Sequence, residues 1–324
     1  MSTLTPHEVN VPLNGLFSPD YVNDQKTIID VKQYNQLDGQ LPPIATDIRN
    51  GRELQIREDD GSPDFISKFF IKHGFVLLSH KSAVTDWDSG AFGAGDALSI
   101  EGVDRHVAPK ATENQIATRY HAEVDDLIQN QILPGRKLRI QQPDLLLRRG
   151  LGTAHPFYGN GVHNDYGISA DDFQENSVAF GDENQARQWR ASFDDDEVLG
   201  YLMINFWRAV HMSEPVRHMP LAILDAQSVE RADLVPSGLK GFTHTGRITN
   251  QLNLRHNERH RWYYYPEMTV DEVLVLNLYH CFKDDRDHSF HQCFHSAFDN
   301  PLAPEGAEVR QSCEHRVGVH VLRD

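Results

Sequence analysis

The spacing of His163 and Asp165 is the feature of this sequence that most directly predicts chemistry. Alternate side chains of a β-strand point to the same face, so this imidazole and this carboxylate would lie side by side. A third histidine from a distant segment would complete a set of two histidines and one carboxylate. Such a set holds Fe(II) on one side and leaves its other positions open. The pair therefore predicts a mononuclear metal centre.

The third ligand must come from a later stretch that contains four histidines: His280, His288, His291 and His295. His288 and His291 lie beside a run of charged residues, which is typical of a solvated loop. His295 lies in an apolar, strand-like segment (293–298) that ends shortly before a turn. We therefore select His295 as the third ligand and keep His291 as the alternative.

A second pattern follows the last of these histidines. Arg310 and Ser312 would share one face of the final strand, together with Glu314 and Arg316. A guanidinium presents a planar fork that matches a carboxylate, and a neighbouring hydroxyl adds one hydrogen bond. The pair is thus a candidate anchor for the far carboxylate of a 2-oxo diacid. The alternative is a surface row of ion pairs formed by Arg310, Glu314 and Arg316.

Composition limits the partners of the protein. With 31 basic and 47 acidic side chains, the net charge of −16 disfavours a nucleic acid or an anionic membrane surface as partner. The start of the chain lacks a signal-peptide pattern, no stretch is apolar enough for a membrane span, and the three cysteines suit a reducing compartment. We expect a small-molecule substrate and a cytoplasmic location, and leave open whether two copies form a homodimer.

The order of the segments predicts one domain that is mainly β with flanking helices. Residues 1–60 read as an N-terminal arm packed on the body, and residues 61–324 as a single domain. A helix over 64–73 leads into a strand over 75–78, and helical periodicity returns over 113–133. Short strands separated by turns then fill the second half, which favours a sandwich or a jelly-roll barrel.

An acidic, polar insertion covers about residues 169–200. Its composition offers little apolar area to hold it on the body. A solvated helix and loop is one interpretation, since charge runs are usually solvated faces. A mobile lid over the metal centre is the other, because the insertion begins directly after Asp165.

Three further residues are candidates for the pocket. Asn205 shares a strand face with Trp207, while Arg208 points the opposite way, so only one of the two faces can look inward. Arg208 is a substrate candidate because a buried arginine needs an anionic partner. Asn205 and Tyr264 could bind the 2-oxo diacid through an amide or a phenol group.

Seven segments, in order from about residue 70 to the end, resemble the iron(II) and 2-oxoglutarate-dependent oxygenases. More narrowly, they resemble the family that groups the cephamycin 7α-methoxylation component with fungal gibberellin desaturase-like enzymes. The segments are HGFVLLSH (73–80), VHND (162–165), INFWR (204–208), PLAILD (220–225), RWYYYPEMT (261–269), HSAFDNP (295–301) and RQSCEHR (310–316).

This resemblance implies a double-stranded β-helix (cupin-like) core with Fe(II) bound by a triad: His163, Asp165 and His295. It implies that 2-oxoglutarate chelates the iron and places its other carboxylate on Arg310 and Ser312, with Arg316 as the alternative anchor. O2 would complete the reaction, which releases CO2 and succinate and oxidises a small molecule of specialised metabolism by hydroxylation, desaturation or ring formation.

The sequence also departs from the family. His280 stands where the family usually has an Asp-Ser pair, so His280 is expected to face the substrate, and the substrate class is open. Two rival functions use the same residues. One is a Zn(II) hydrolase with the same three ligands, which would not need Arg310 or Ser312. The other is a non-catalytic cupin-like binding protein, for which three ionisable ligands would be costly to bury without a metal.

Overall fold

The computed structural model describes residues 7–22, 26–30, 41–91, 114–144, 146–153, 155, 158–181, 183–243, 245–284 and 289–324. His288, one of the histidines considered as a ligand, lies outside the described residues. The strands are β1 (Val9–Leu13), β2 (Leu16–Phe17), β3 (Thr27–Asp30), β4 (Ile44–Asn50), β5 (Phe75–Ser79), β6 (Leu138–Gln141), β7 (Leu147–Arg149), β8 (Val198–Ala209), β9 (Leu221–Leu224), β10 (Leu234–Lys240), β11 (Thr249–Arg255), β12 (Trp262–Tyr264), β13 (Glu272–Phe282), β14 (His295–Ala297) and β15 (Ser312–Leu322).

The α-helices are α1 (Gly51–Glu58), α2 (Phe65–His73), α3 (His121–Leu127), α4 (Ala170–Ala179) and α5 (Glu183–Asp194). π-Helical turns extend α3 at both ends, over Ile116–Tyr120 and Ile128–Ile132. Two short 3₁₀ turns follow β9, at Ala226–Ser228 and Arg231–Asp233. Every helix in the described part of the chain is too short or too polar to span a lipid bilayer.

The largest sheet contains the long strands of the second half of the chain. Its order is β5-β13-β8-β15-β6, and β7 pairs with the beginning of β15. Residues directly opposite each other in antiparallel strands share a face. Asn205 therefore lies beside Arg316, and Trp207 lies beside Glu314, on the face that we call the inner face. Aromatic and apolar residues of α2, α3 and the strands cover the opposite, outer face.

Two smaller sheets complete the β structure of the described residues. One has the order β1-β4-β12-β9-β14, and the other has the order β2-β11-β10-β3. Residues 163 and 164 lie between them: His163 forms an antiparallel bridge with His295 of β14, and Asn164 forms one with Leu252 of β11. The segment that begins with His163 thus joins the two sheets along one edge.

The N-terminal segment contributes strands to both smaller sheets rather than lying on their surface. β1 and β4 pair with each other, and β4 continues in parallel to β12. β2 and β3 add to the edges of the other sheet. The polar composition of residues 1–60 predicted an arm and did not reveal these strand pairings.

The helix predicted over 64–73 is confirmed as α2, and its end has a clear physical cause. Gly74 adopts a left-handed conformation with φ of 79°, and its N–H donates to the carbonyl of Phe70. A Cβ atom at Gly74 would lie 2.9 Å from the carbonyl oxygen of His291, so only glycine fits this turn. Lys72 and His73 place basic groups at the C-terminus of the helix. The turn leads directly into β5, as predicted.

The insertion at 169–200 is held down by aromatic side chains, so the expectation that it offers little apolar area is wrong. Ser169 and Asp172 form a capping box that begins α4. Phe173, Trp189 and Phe193 are buried against Tyr201 of β8. The amphipathic spacing of these aromatics along two helices was masked in the sequence by the acidic residues between them.

We expect Trp189→Ala to unfold the protein at lower urea concentration. The indole ring lies 4.5 Å from the ring of Phe173 and stacks on Phe193 at 5.3 Å. Truncating a buried tryptophan costs about 3–5 kcal/mol of unfolding free energy. Arg187→Ala on the same helix is the control, because its side chain is exposed. Equal unfolding midpoints for both variants would contradict the view that this cluster anchors the insertion.

Candidate metal centre and its polar pocket

The backbone brings His163 and His295 together. The N–H of His163 donates to the carbonyl of His295 at 3.3 Å, and the N–H of His295 donates to the carbonyl of His163 at 3.0 Å. Their side chains leave the bridge on the same face, with ring centroids 4.7 Å apart. The predicted short strand around His163 is thus a pair of isolated bridges, which still gives the two imidazoles a fixed spacing.

Asp165 completes the cluster. Its Oδ1 is 3.5 Å from Nε2 of His163, and its Oδ2 is 3.9 Å from Nε2 of His295. One candidate ligand atom from each of the three residues lies within 4.8 Å of the others. A single cation of ordinary size fits this spacing, since metal–ligand bonds of about 2.0–2.2 Å place ligand atoms about 3 Å apart.

Hydrogen bonds fix both imidazole rings in the orientation that a metal would need. Nδ1 of His163 is 2.7 Å from the carbonyl oxygen of Gly161, and Nδ1 of His295 is 3.3 Å from that of Cys293. A carbonyl oxygen only accepts, so each Nδ1 carries a proton, and in the neutral form of the ring Nε2 keeps its lone pair. Such outer partners are the usual means of orienting histidine ligands.

The electrostatics of the cluster favour a cation. Burial raises the pKa of Asp165, but the Arg316 guanidinium and the two histidines outweigh burial and hold this pKa far below its usual range. Burial and the neighbouring His163 lower the pKa of His295 to about 4. Burial also opposes the charged form of His163, yet contact with Asp165 raises its pKa overall. At neutral pH the carboxylate is therefore ionised and His295 is neutral.

Arg310 lies two residues before β15 and is 1% exposed. Its guanidinium lies over the ring of Tyr158 at 4.1 Å and near that of Trp207 at 5.5 Å, and its Nη1 donates to the carbonyl of Met219. Burial lowers the pKa of Arg310 to about 9, so it stays charged at neutral pH. Within the described residues, no carboxylate lies within 4.0 Å of this buried charge.

Five buried polar atoms around the metal cluster and the inner face have no hydrogen-bond partner among the described residues. They are Asp165 Oδ2, Asn205 Oδ1, Arg310 Nε, Ser312 Oγ and Arg316 Nε. Buried polar groups are paired in the great majority of cases, and several adjacent exceptions call for a polar occupant. A bound metal ion would provide a cation for the carboxylate of Asp165. A bound dicarboxylate would provide an anion for Arg310 and Ser312.

The row of residues that follows Ser312 carries alternating charge. Glu314 accepts from Arg316 Nη2 at 2.8 Å and from Nε of Arg149 at 2.8 Å. Arg316 Nη2 is also 3.3 Å from Asp165 Oδ2. Burial raises the pKa of Glu314, but the two arginines outweigh burial and lower it to about 2. The row therefore faces the metal cluster and is not a surface row of ion pairs.

Two predicted residues, Arg208 and Tyr264, lie away from this cluster. Arg208 is on the outer face, where its Nη2 is 2.9 Å from Nδ1 of His80 and its guanidinium lies 5.3 Å from the ring of Trp87. Its expected anionic partner is absent among the described residues, because no carboxylate lies within 4.0 Å of it. Tyr264 packs on Phe298 in a separate apolar cluster.

His280 and His291 lie together and apart from the triad. Their rings are 4.4 Å from each other, and Nε2 of His291 is 2.7 Å from the hydroxyl of Ser289. His280 is opposite Leu202 in the sheet, on the outer face. The preference for His295 over His291 agrees with this arrangement, whereas His280 is not brought to the pocket.

Sequence reasoning missed Arg149 and Tyr158. Arg149 belongs to β7, which is only three residues long and pairs with Ser312. Tyr158 lies in an irregular segment, and its hydroxyl donates to the carbonyl of Arg310 at 2.5 Å. No periodic signal marks either residue. Strand alternation placed Trp207 on the same face as Asn205, and the structure adds that its ring lies 5.5 Å from the guanidinium of Arg310.

A family model described as "Oxidoreductase/YMDC permease-like domain" matches residues 67–320. The chain belongs to this family. The match includes all three residues of the metal cluster and the Arg310–Ser312 pair.

Three curated relatives are similar in sequence. The chain is 31% identical over 117 residues (35% of the chain, 45% of the relative) to aspirochlorine biosynthesis protein N of Aspergillus oryzae. It is 32% identical over 117 residues (33% of the chain, 39% of the relative) to hydroxylase/desaturase efuI of Hormonema carpetanum. It is 24% identical over 297 residues (88% and 86%) to alpha-ketoglutarate-dependent dioxygenase phiK of a fungal species. The chain thus spans less than half the length of the first two.

Solved structures share the fold. Two structures titled iron and alpha-ketoglutarate-dependent endoperoxidase NvfI superpose with TM-scores of 0.60 and 0.56, and each comparison covers at least 98% of both chains. Identity is 16% in both cases, so the likeness concerns the fold. The predicted fold class, mainly β with flanking helices around a jelly-roll core, is confirmed.

Removing any member of the cluster should abolish tight metal binding. We expect His163→Ala, Asp165→Ala and His295→Ala each to weaken Co(II) binding by more than about 100-fold, because loss of a direct ligand exceeds the 10–100-fold effect of an outer partner. His291→Ala is the control, since this ring lies outside the cluster. Titrations followed by the visible absorption of bound Co(II) would measure the affinities. Tight binding by His295→Ala would contradict the assignment.

Proposed function

We propose that this protein is an oxidoreductase, an Fe(II)- and 2-oxoglutarate-dependent dioxygenase that oxidises a small molecule in specialised metabolism. One observation carries the proposal: a histidine–carboxylate–histidine cluster lies beside a row of unpartnered buried polar atoms that ends at Arg310. A metal site alone would explain the cluster. It would not explain a buried arginine without a carboxylate next to an unpartnered serine hydroxyl.

Each residue then has a role that its surroundings support. His163, Asp165 and His295 would hold Fe(II), since two neutral imidazole nitrogens and an ionised carboxylate suit a divalent cation. Arg310 and Ser312 would bind the far carboxylate of 2-oxoglutarate through a charge-assisted hydrogen bond and a neutral one. Bound Fe(II), 2-oxoglutarate and O2 would supply the oxidising chemistry, with release of CO2 and succinate. The rings of Tyr158 and Trp207 would keep Arg310 in place and exclude water.

The sequence relatives support this function. Two of them are named hydroxylase/desaturase and alpha-ketoglutarate-dependent dioxygenase, and a third is named for the biosynthesis of aspirochlorine. Hydroxylation, desaturation and oxidative ring formation all remain within the proposal. The narrower grouping with the cephamycin 7α-methoxylation component is supported by the sequence segments alone.

We also propose a domain organisation, a class of partner, a location and an oligomeric state for the protein. We treat residues 61–324 as one catalytic domain that carries the helical insertion, with residues 1–60 as an arm that adds strands to it. The substrate would be a small molecule, with neither nucleic acid nor membrane as partner. A cytoplasmic location and a homodimer rest on the sequence alone.

The decisive experiment measures succinate. Purified protein with Fe(II), 2-oxoglutarate, ascorbate and air should form succinate slowly, and a true substrate should accelerate it. The same protein loaded with Zn(II) should form none. Absence of succinate with Fe(II) across a broad panel of small molecules, together with hydrolysis in the Zn(II) sample, would contradict the oxygenase and favour the hydrolase.

Arg310→Ala should raise the 2-oxoglutarate concentration needed for half-maximal succinate formation. Truncating one member of a buried charge pair costs about 2–5 kcal/mol of binding free energy, so the rise should exceed about tenfold. Co(II) affinity should stay at the wild-type level, because Arg310 does not contact the cluster. An unchanged 2-oxoglutarate requirement would show that the anchor has been assigned to the wrong residue.

A further inference from the structure

Arg316 lies between two carboxylates with different roles. Its Nη2 is 2.8 Å from Glu314 Oε2 and 3.3 Å from Asp165 Oδ2. On the far side of Glu314, Nε of Arg149 is 2.8 Å from the other carboxylate oxygen. A chain of ion pairs of alternating sign therefore crosses the inner face and ends on a proposed metal ligand.

Arg316 of the last strand and Arg310, just before that strand, differ in what they contact. Arg316 already has two carboxylates within 4.0 Å, whereas Arg310 has none among the described residues. Arg316 also has a 30% exposed side chain, while Arg310 is 1% exposed. An incoming carboxylate would meet no competing carboxylate at Arg310, whereas at Arg316 it would compete with two. The alternative placement of 2-oxoglutarate on Arg316 is therefore disfavoured.

We propose that Arg316 is a positioning residue for Asp165 and that Glu314 fixes Arg316 in place. The inference rests on the proposed function and deepens it, because it assigns Arg316 to the metal ligand rather than to 2-oxoglutarate. The guanidinium lies on the Oδ2 side of the carboxylate, where it restrains rotation about the bond to the carboxylate carbon. Asp165 Oδ2 accepts no well-aligned hydrogen bond from the described residues, so this ion pair is its main restraint.

Glu314 has a second effect in this arrangement. A guanidinium beside a metal ligand would by itself oppose the binding of a cation, since like charges repel strongly in a partly buried site. The negative charge of Glu314, 2.8 Å from the same Nη2, offsets that repulsion. Arg316 can then orient Asp165 without lowering metal affinity. The charge of Glu314, not only its shape, is therefore part of the proposal.

Arg316→Lys tests the orientation at constant charge, because the shorter lysine lacks the rigid planar guanidinium that holds Nη2 between the two carboxylates. We expect Co(II) affinity to fall about 10–100-fold, as for other outer partners of metal ligands. We also expect a changed visible absorption spectrum of bound Co(II), which a purely structural role would not alter. Binding of 2-oxoglutarate to Co(II)-saturated protein should stay near the wild-type value.

Arg149→Lys is the matched control, since Arg149 contacts the same Glu314 but not Asp165. It should lower Co(II) affinity less than Arg316→Lys and leave the spectrum as in the wild type. Glu314→Gln keeps the size of the side chain and removes its charge, so Co(II) affinity should fall. Thermal unfolding of the metal-free protein shows whether Arg316→Lys folds. If it does not fold, the Co(II) affinity of Glu314→Gln tests the positioning role of Arg316.

The outcomes separate the two proposals. Wild-type Co(II) affinity and spectrum in Arg316→Lys, together with weakened 2-oxoglutarate binding, would overturn the positioning role and leave the oxygenase proposal intact. Wild-type Co(II) affinity in Glu314→Gln would equally overturn it. Failure of the wild-type protein to bind Co(II), or to bind 2-oxoglutarate when Co(II) is present, would overturn the proposed function itself.

Discussion

The backbone bridge between His163 and His295 positions much of the candidate site. The two residues exchange both of their backbone hydrogen bonds, and antiparallel residues paired in this way have Cα atoms about 5.5 Å apart with side chains on one face. Asn164 repeats the connection on the other side, with Leu252 of β11. Two bridges thus join β14 to β11 through the ligand segment. The spacing of the two imidazoles is set by the main chain and not by side-chain packing alone.

Charge placement on the inner face follows from the cost of burying ions. Arg316, Glu314 and Asp165 each have an oppositely charged partner within 4.0 Å, as buried charges require. Arg310 breaks this pattern, because its guanidinium contacts the carbonyl oxygen of Met219 and the rings of Tyr158 and Trp207 but no carboxylate of the described residues. Arg208 also lacks a carboxylate but lies on the outer face beside His80, so the exogenous anion is proposed at Arg310, next to the ion-pair row.

The helical insertion shows how composition can mislead. Residues 169–200 contain many acidic side chains, yet Phe173, Trp189 and Phe193 occur at spacings that place them on the buried sides of α4 and α5. These helices pack on Tyr201 of β8 and Tyr279 of β13. Few aromatic residues suffice, because each buries a large area of apolar surface. Net charge therefore says little about whether such a segment is anchored.

The sequence by itself determined those helices, strands and strand faces that depend only on residues close together in the chain. The His73-Gly74 helix end, the strand at 221–224 and the face shared by Ser312, Glu314 and Arg316 all follow from periodicity and glycine chemistry. Spacing and apolar context also pointed to His295, the histidine of the later stretch that the structure places beside His163 and Asp165. The tertiary structure alone decided that Arg208 and His280 face outward, that Tyr264 lies in another cluster, and that Arg149 and Tyr158 reach the pocket. These outcomes depend on which strands become neighbours and on bulges such as the one near Asn277, and pairing between distant segments is not encoded in any local pattern.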